Sequence, residues 1–445
     1  MDNKNEWVKL TPEEKREERI KRWFSPRGVQ FVSPEAKKAY KARLTRIVDA
    51  IQLREPDRVP VILPAGIFPA YYAGKTLKTV MYDYEELCRA WRKFLHEFNG
   101  DTHSSPAVIP PGRVSEILES RTSKWPGHGL PDDASMSQFV EGEYMKADEY
   151  DALIKDPSDF LLRLYLPRTF GELEPLQKLS PLTYSLGMPT AFLGSYTKPD
   201  VRAAFQTILD AGEELSKWRE VVADFSREAN NAGFPSLRGG VTMAPFDTIG
   251  DTLRGTKGII RDMFRQPDML HEAMERITPM NIEAAVSAAD AVGGPIIFMP
   301  LHKGDDVFMS DEQFETFYWP TFKKVILGLV EEGCIPLLFA EGRYNRRLEV
   351  IKDLPKGTVL WQFDQTDMAK AKEILGDTAC ISGNVPTSLL CTGSPHAVKD
   401  CCRKLIEVCG KNGGFILTGG ASIDRGNPDN LRAMVEAVEE FGVYV

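Results

Sequence analysis

From Arg58 onward, short apolar runs alternate along the chain with stretches in which apolar residues recur every third or fourth position. RVPVILP at 58–64 predicts a strand, Tyr84 to Phe98 a helix, and GDTHSSPAVI at 100–109 a second strand. Between 107 and about 180 the rhythm breaks. PPG, WPGHGLPDD and EYDALIKDPSDF predict an insertion with short helices of its own, and its 112–165 portion is expected to lie as a lid over the active face. The pattern returns with a helix over 200–232, the strand-like RGGVTMAPF, and paired helices over 257–292 parted near Thr278 and Pro279.

Five strand–helix units then follow: GPIIFMPLH before a helix at 311–332, CIPLLFAEG before 344–352, TVLWQFD before 367–375, TACISGNVP before 395–410, and GGFILTGG before 428–441. No glycine-rich dinucleotide fingerprint follows the first strand, so a closed (β/α)8 TIM-type barrel is expected over 51–445. Residues 1–50, with a charge block from Glu13 to Arg19, read as an N-terminal helical arm.

Composition narrows the function. The 445 residues are 42% hydrophobic, and a net charge of −9 lacks the clustered excess cations of a nucleic-acid partner. No apolar run reaches the length of a membrane span and the first residues are charged, so a cytoplasmic protein is expected. The seven cysteines form no Cys-x-x-Cys pair and are expected as reduced, mostly buried thiols.

In such barrels the chemistry gathers where strands end, and the predicted strand ends carry His302 with Asp305 and Asp306, Glu341 with Arg343, Asp364 with Asp367, Asn384, and Ser422 with Asp424. Each alone can be a helix cap or turn residue. Together, on five consecutive strands, they predict one polar mouth. Glu341 is the sharpest of them, because a carboxylate after Leu337, Leu338, Phe339 and Ala340 needs a partner, a proton or a metal. His302 ends the preceding strand and is its expected neighbour, either as a metal-sharing pair or as a hydrogen-bonded one. His103, Tyr71 and His128 are further candidates for the substrate pocket, with loop or core roles as the competing reading.

Several blocks in this order resemble the uroporphyrinogen decarboxylase superfamily: RVPV at 58–61, APFDTIGDTLRG at 244–255, MSDEQFETFYWPTFKK at 309–324, GNVP at 383–386, and GGFILTGGASIDRGNPDNLRAM at 413–434. The resemblance implies a TIM barrel and one of two chemistries, decarboxylation of porphyrinogen side chains or methyl transfer involving a corrinoid cobalt. The decarboxylases carry an arginine-rich loop after the first strand, where this chain has PAGIFPAYYAG, and a tyrosine and a histidine where it has Asp251 and Ala421. A polyanionic porphyrinogen needs cations, so this departure disfavours it. The methyltransferases bind zinc through a His-x-Cys pair and a later cysteine, and here Glu341 and Ala421 stand at the cysteine positions.

The resemblance therefore implies a corrinoid-dependent methyltransferase, in the manner of an O-demethylase of anaerobic metabolism, acting on a small methylated substrate such as a methyl ether. Glu341, His302 and Asp364 are its expected catalytic residues, and His103, Asn384, Asp251, Tyr71 and His128 contact substrate. Zinc is expected on His302 and Glu341. The corrinoid is expected on a separate protein, since no Asp-x-His-x-x-Gly loop occurs in the sequence, and a homodimer is among the expected assemblies. The alternatives are a decarboxylase of uroporphyrinogen or another carboxylic acid, and a non-catalytic binding barrel.

Overall fold

The computed structural model describes residues 6–444. Three short strands in the insertion, β1 (Ser123–Pro126), β2 (Gly129–Leu130) and β3 (Gln138–Phe139), form a small sheet of order β2-β1-β3 among its short helices. The main sheet holds β4 (Gly240–Val241), β5 (Ile296–Leu301), β6 (Ile335–Ala340), β7 (Leu360–Phe363), β8 (Cys380–Val385) and β9 (Phe415–Gly419), all parallel and in chain order. Parallel neighbours in chain order require a crossover after every strand, and helices supply it.

The ring closes through two segments that lack regular strand geometry. Ile62 N–H donates to Leu417 O (2.9 Å) and Leu417 N–H to Pro60 O (2.9 Å), which seats 58–64 beside β9. Asp101 N–H donates to Val61 O (2.8 Å) and His103 N–H to Pro235 O (3.1 Å), which carries the ring through 99–103 to the segment leading into β4. The expected (β/α)8 barrel is thus present, with two of its staves irregular. Pro60 and Pro64 interrupt the first of these staves, since proline donates no ladder bond. Asp101, fully buried, staples both staves: it accepts Val61 N–H (2.8 Å) and pairs with Arg46 and Arg58, each at 2.9 Å.

The helices Pro12–Phe24 and Pro34–Ile51 plug the N-terminal end of the barrel. Trp23, Tyr40, Leu44, Ile47 and Ile51 pack against Ile296, Ile335, Leu337, Leu360 and Ile416. Outside, the strands carry a helical layer that includes Pro199–Asn231, Trp319–Glu331, Pro395–Cys409 and Pro428–Phe441.

Two local expectations are corrected. The helix pair parts at Gln266, between Gly255–Arg265 and Pro267–Val292, and runs unbroken through Pro279. Gln266 precedes a proline that pushes it out of helical geometry (φ −150°, ψ 55°). The helix expected at 344–352 shrinks to Leu348–Ile351. Arg347, fully buried, holds the preceding turn by donating to Gly304 O (3.2 Å) and Met309 O (2.5 Å) and by pairing with Asp311. All seven cysteines are free thiols, most of them buried. Among the described residues, no helix is long and apolar enough to cross a membrane.

Candidate functional site

Register places the expected mouth residues side by side. Leu301 pairs with Ala340 and Ala340 with Phe363, so His302, Glu341 and Asp364 each stand one residue past the end of adjacent strands. The alternation that turns Pro300, Phe339 and Gln362 into the lumen turns these three inward as well. Gly342 then turns the chain at φ 76°, and a Cβ there would stand 2.7 Å from Asp305 Oδ2.

His302 is held from behind. Its Nδ1–H donates to Asp251 Oδ2 (2.6 Å), and Lys303 Nζ pairs with the other Asp251 oxygen. This leaves His302 Nε2 facing Glu341 Oε1 at 3.7 Å. Beneath them lies Asp247, fully buried, which accepts His302 N–H (3.1 Å), Lys303 N–H (3.0 Å) and the Tyr318 hydroxyl (2.6 Å). Asp251 and Tyr318 both ride π-helical turns, Thr248–Leu253 and Phe314–Tyr318, a widening of the helix that recurs at functional sites.

The electrostatics follow from these contacts. Burial, with repulsion from Asp251 added, pushes Asp247 up to about 6. Burial also acts to raise Asp251, but the hydrogen bonds from His302 and Lys303 outweigh it and hold that carboxyl below the usual carboxylate value. The hydrogen bond to Asp251 raises His302 above the usual imidazole value against the opposing effect of burial. Glu341 is raised by burial, with His302 opposing and Asp364 and Asp251 adding repulsion. The result is a row in which Asp251 is shifted toward its carboxylate form and His302 and Glu341 toward their protonated forms.

A cavity of about 600 Å³ runs through the lumen, and Glu341 is the member of this row that lines it. Its walls include Phe298, Leu337, Phe339, Leu360, Gln362 and Ser382.

The remaining expected residues are placed differently. Asp364 accepts Gly342 N–H (3.2 Å) and so braces the turn that follows Glu341. Asn384 donates to Thr366 O (2.8 Å) at the rim. Asp251, expected to contact substrate, is occupied by His302 and Lys303. His103 borders the cavity, but its ring stands edge-on to Phe225 and its Nε2 is buried without a partner; burial pushes its pKa down to about 4. The Tyr71 hydroxyl donates to Ser135 O (2.9 Å), and its ring lies under Arg425. His128 stacks on Trp125 and pairs with Glu116 (2.6 Å). No residue of the expected 112–165 lid lines the cavity; the insertion instead docks beside the mouth loops, as Arg254 donates to Met145 O (2.5 Å) and Tyr150 to Asp262 (2.8 Å).

The fit to zinc fails on donor count. A catalytic zinc takes three protein ligands, and among the described residues no group of three or more His, Cys, Asp and Glu side chains could hold a metal ion. His302 and Glu341 are two, and Asp251 is committed elsewhere.

Sequence reasoning missed Lys303 and Asp247. Asp247 lies inside the APFD block and Lys303 follows His302, so the signal for both stood in those motifs.

A closed α/β barrel with titratable side chains at the C-terminal ends of its strands defines the general class. The profile of the family "Uroporphyrinogen decarboxylase (URO-D)" matches residues 208–441, and the chain belongs to that family. Among curated proteins it is similar to the uroporphyrinogen decarboxylase of Coxiella burnetii, 24% identical over 204 residues, 45% of this chain and 56% of the relative. The corresponding protein of Chlorobium phaeovibrioides is 27% identical over 183 residues, 40% of this chain and 51% of the relative. The chain thus spans about half the length of the curated relatives it matches. A solved structure titled "methyltransferase from Methanosarcina mazei" superposes with a TM-score of 0.59 over 89% of this chain and 98% of that one; at 17% identity it shows a shared fold.

Proposed function

We propose that the protein transfers a methyl group from a small methyl ether to the cobalt of a corrinoid carried by a separate protein. The observation that carries this reading is the Asp251–His302–Glu341 row ending at the cavity. In the reaction the methyl–oxygen bond breaks, its electron pair stays on oxygen, and the methyl passes to the corrinoid co-substrate, which would have to arrive in its reduced cobalt(I) form to supply the pair for the new bond. The leaving oxygen needs a proton. Glu341, raised by burial and facing the cavity, donates it, and His302 replaces it through Nε2. Asp251 fixes the ring and keeps it charged. The 3.7 Å between His302 and Glu341 exceeds hydrogen-bond length, so Glu341 turns toward the ring for that second step.

A second reading, decarboxylation of a carboxylic acid, is favoured by the names of the curated relatives. Uroporphyrinogen itself fits poorly: Arg238 is the one Lys or Arg among the residues lining the cavity, and a polyanion requires more.

The test is cobalamin methylation by purified protein over a panel of methyl ethers, beside carbon dioxide release from uroporphyrinogen. Methylation is expected from the wild type, falling about a hundredfold or more in Glu341→Ala. Carbon dioxide release above a heat-killed control, without methylation, would overturn the reading.

A further inference from the structure

Buried arginines in this protein are paired. Arg254 binds Asp262 and Glu143, Arg347 binds Asp311 and backbone carbonyls, Arg19 binds Asp290, and Arg43 donates to Gly233 O and Asn99. Arg238, an exposed side chain on the cavity wall, has no such partner. Its guanidinium lies 3.7 Å from the centre of the Phe298 ring, and among the described residues no carboxylate stands within ion-pair distance of it. Its side chain is exposed and borders the 600 Å³ cavity, and desolvation by the surrounding protein pushes its pKa down to about 10. A guanidinium held against an aromatic face with its donors unspent is preorganised for a planar anion.

The other charged or titratable residues lining the cavity are His103 and Glu341. His103 is kept neutral near pH 7 by burial. Glu341 stands at the other end of the lumen: Phe298 pairs with Leu337, and Glu341 lies four residues further along that strand, roughly 13 Å away along it. Between them Leu337, Phe339 and Leu360 form an apolar wall.

We infer that Arg238 binds a carboxylate of the substrate, so that the substrate class is a small acid with an apolar body, its carboxylate on Arg238 and its reacting oxygen toward Glu341. This rests on the methyl-transfer reading for the identity of the reacting group, but the carboxylate subsite can be read by binding alone.

The probes are 4-methoxybenzoate and 4-methoxybenzyl alcohol, of nearly equal size and differing in charge, titrated calorimetrically into the wild type, Arg238→Met and Arg238→Lys, with melting recorded for each. The wild type is expected to bind the acid at least about tenfold more tightly than the alcohol. Arg238→Met is expected to weaken the acid by roughly tenfold to a hundredfold and leave the alcohol unchanged, with Arg238→Lys between. The wild-type preference needs no variant, so a misfolded mutant does not rescue or sink the claim. Equal binding of acid and alcohol, no saturable binding of the acid, or an acid affinity unchanged in a folded Arg238→Met would overturn it. Arg238-dependent acid binding without any cobalamin methylation would uphold this subsite and overturn the methyl-transfer reading instead.

Discussion

The two ends of the barrel are built by the same strands with the same inward alternation, yet one end is apolar and sealed and the other is polar and open. At the floor, Ile296, Ile335 and Leu337 meet Tyr40, Leu44 and Ile47, with almost no exposed surface. At the mouth the same strands end in His302 and Glu341, beside Asp364. The floor gains its free energy from burial, which is nondirectional and tolerant of hydrophobic exchange. The mouth carries charge that burial opposes, and it is tolerated because each group is answered by a neighbour: Asp251 by Lys303, His302 by Asp251, Asp247 by Tyr318. Substitutions at the two ends should therefore separate stability from activity.

The largest effect on stability is expected at the floor. Leu44→Ala leaves a cavity between the plug and the strands and should cost about 2–5 kcal/mol of unfolding free energy, measured by denaturant titration. Its turnover per folded molecule should match the wild type. A comparable loss of turnover would break the division between the ends.

Asp251→Asn probes the mouth at intermediate size. Without the carboxylate His302 loses its reason to stay protonated, so turnover at neutral pH should fall roughly tenfold to a hundredfold and the alkaline limb of the pH–rate profile should move to lower pH. Stability should follow the same groups. Because His302 titrates above its ordinary value of 6.5, the pair's contribution is full below that value and lost as pH rises through the raised one. Because Asp251 titrates below 3.8, the contribution is also lost as pH falls through that lower value. The gap in melting temperature between wild type and Asp251→Asn should thus be widest between pH 3.8 and 6.5. A gap independent of pH would show that the contact is not ionic.

The smallest effect is expected at His128, which stacks on Trp125 outside the cavity. His128→Ala should change stability by no more than about 0.5 kcal/mol and leave kinetics as in the wild type. A raised KM would return the insertion to the site.

Much of the mouth was legible because it depends on local pattern. A strand's apolar run locates its end, and consecutive parallel strands make neighbours of consecutive ends, which is how His302 and Glu341 come together. The first irregular stave was legible as the apolar segment RVPVILP, and its prolines are why it forms no regular ladder. Arg238 was not legible. Its partner Phe298 lies sixty residues away, and what marks it is its place on the cavity wall without a carboxylate beside it, neither of which leaves a periodicity. In sequence the plug reads only as an N-terminal arm: the charged face of Pro12–Phe24 outweighs the Trp23 that buries its ring, and the apolar face of Pro34–Ile51 does not name the strands it covers. Tyr318 was obscured for a similar reason: helical spacing predicts a core face, and the π-helical turn that brings its hydroxyl to Asp247 is set by packing.

The central claim is that Glu341 gives a proton to the leaving oxygen, and the pH–rate profile of cobalamin methylation in wild type and Glu341→Gln tests it most directly. An acid that must be protonated gives a rate that is level at low pH and falls as pH rises through its raised pKa. The account predicts that limb in the wild type, and in Glu341→Gln a folded protein of unchanged melting temperature whose small residual rate has lost the Glu341 limb. A Glu341→Gln variant with wild-type turnover and an unaltered profile would contradict it.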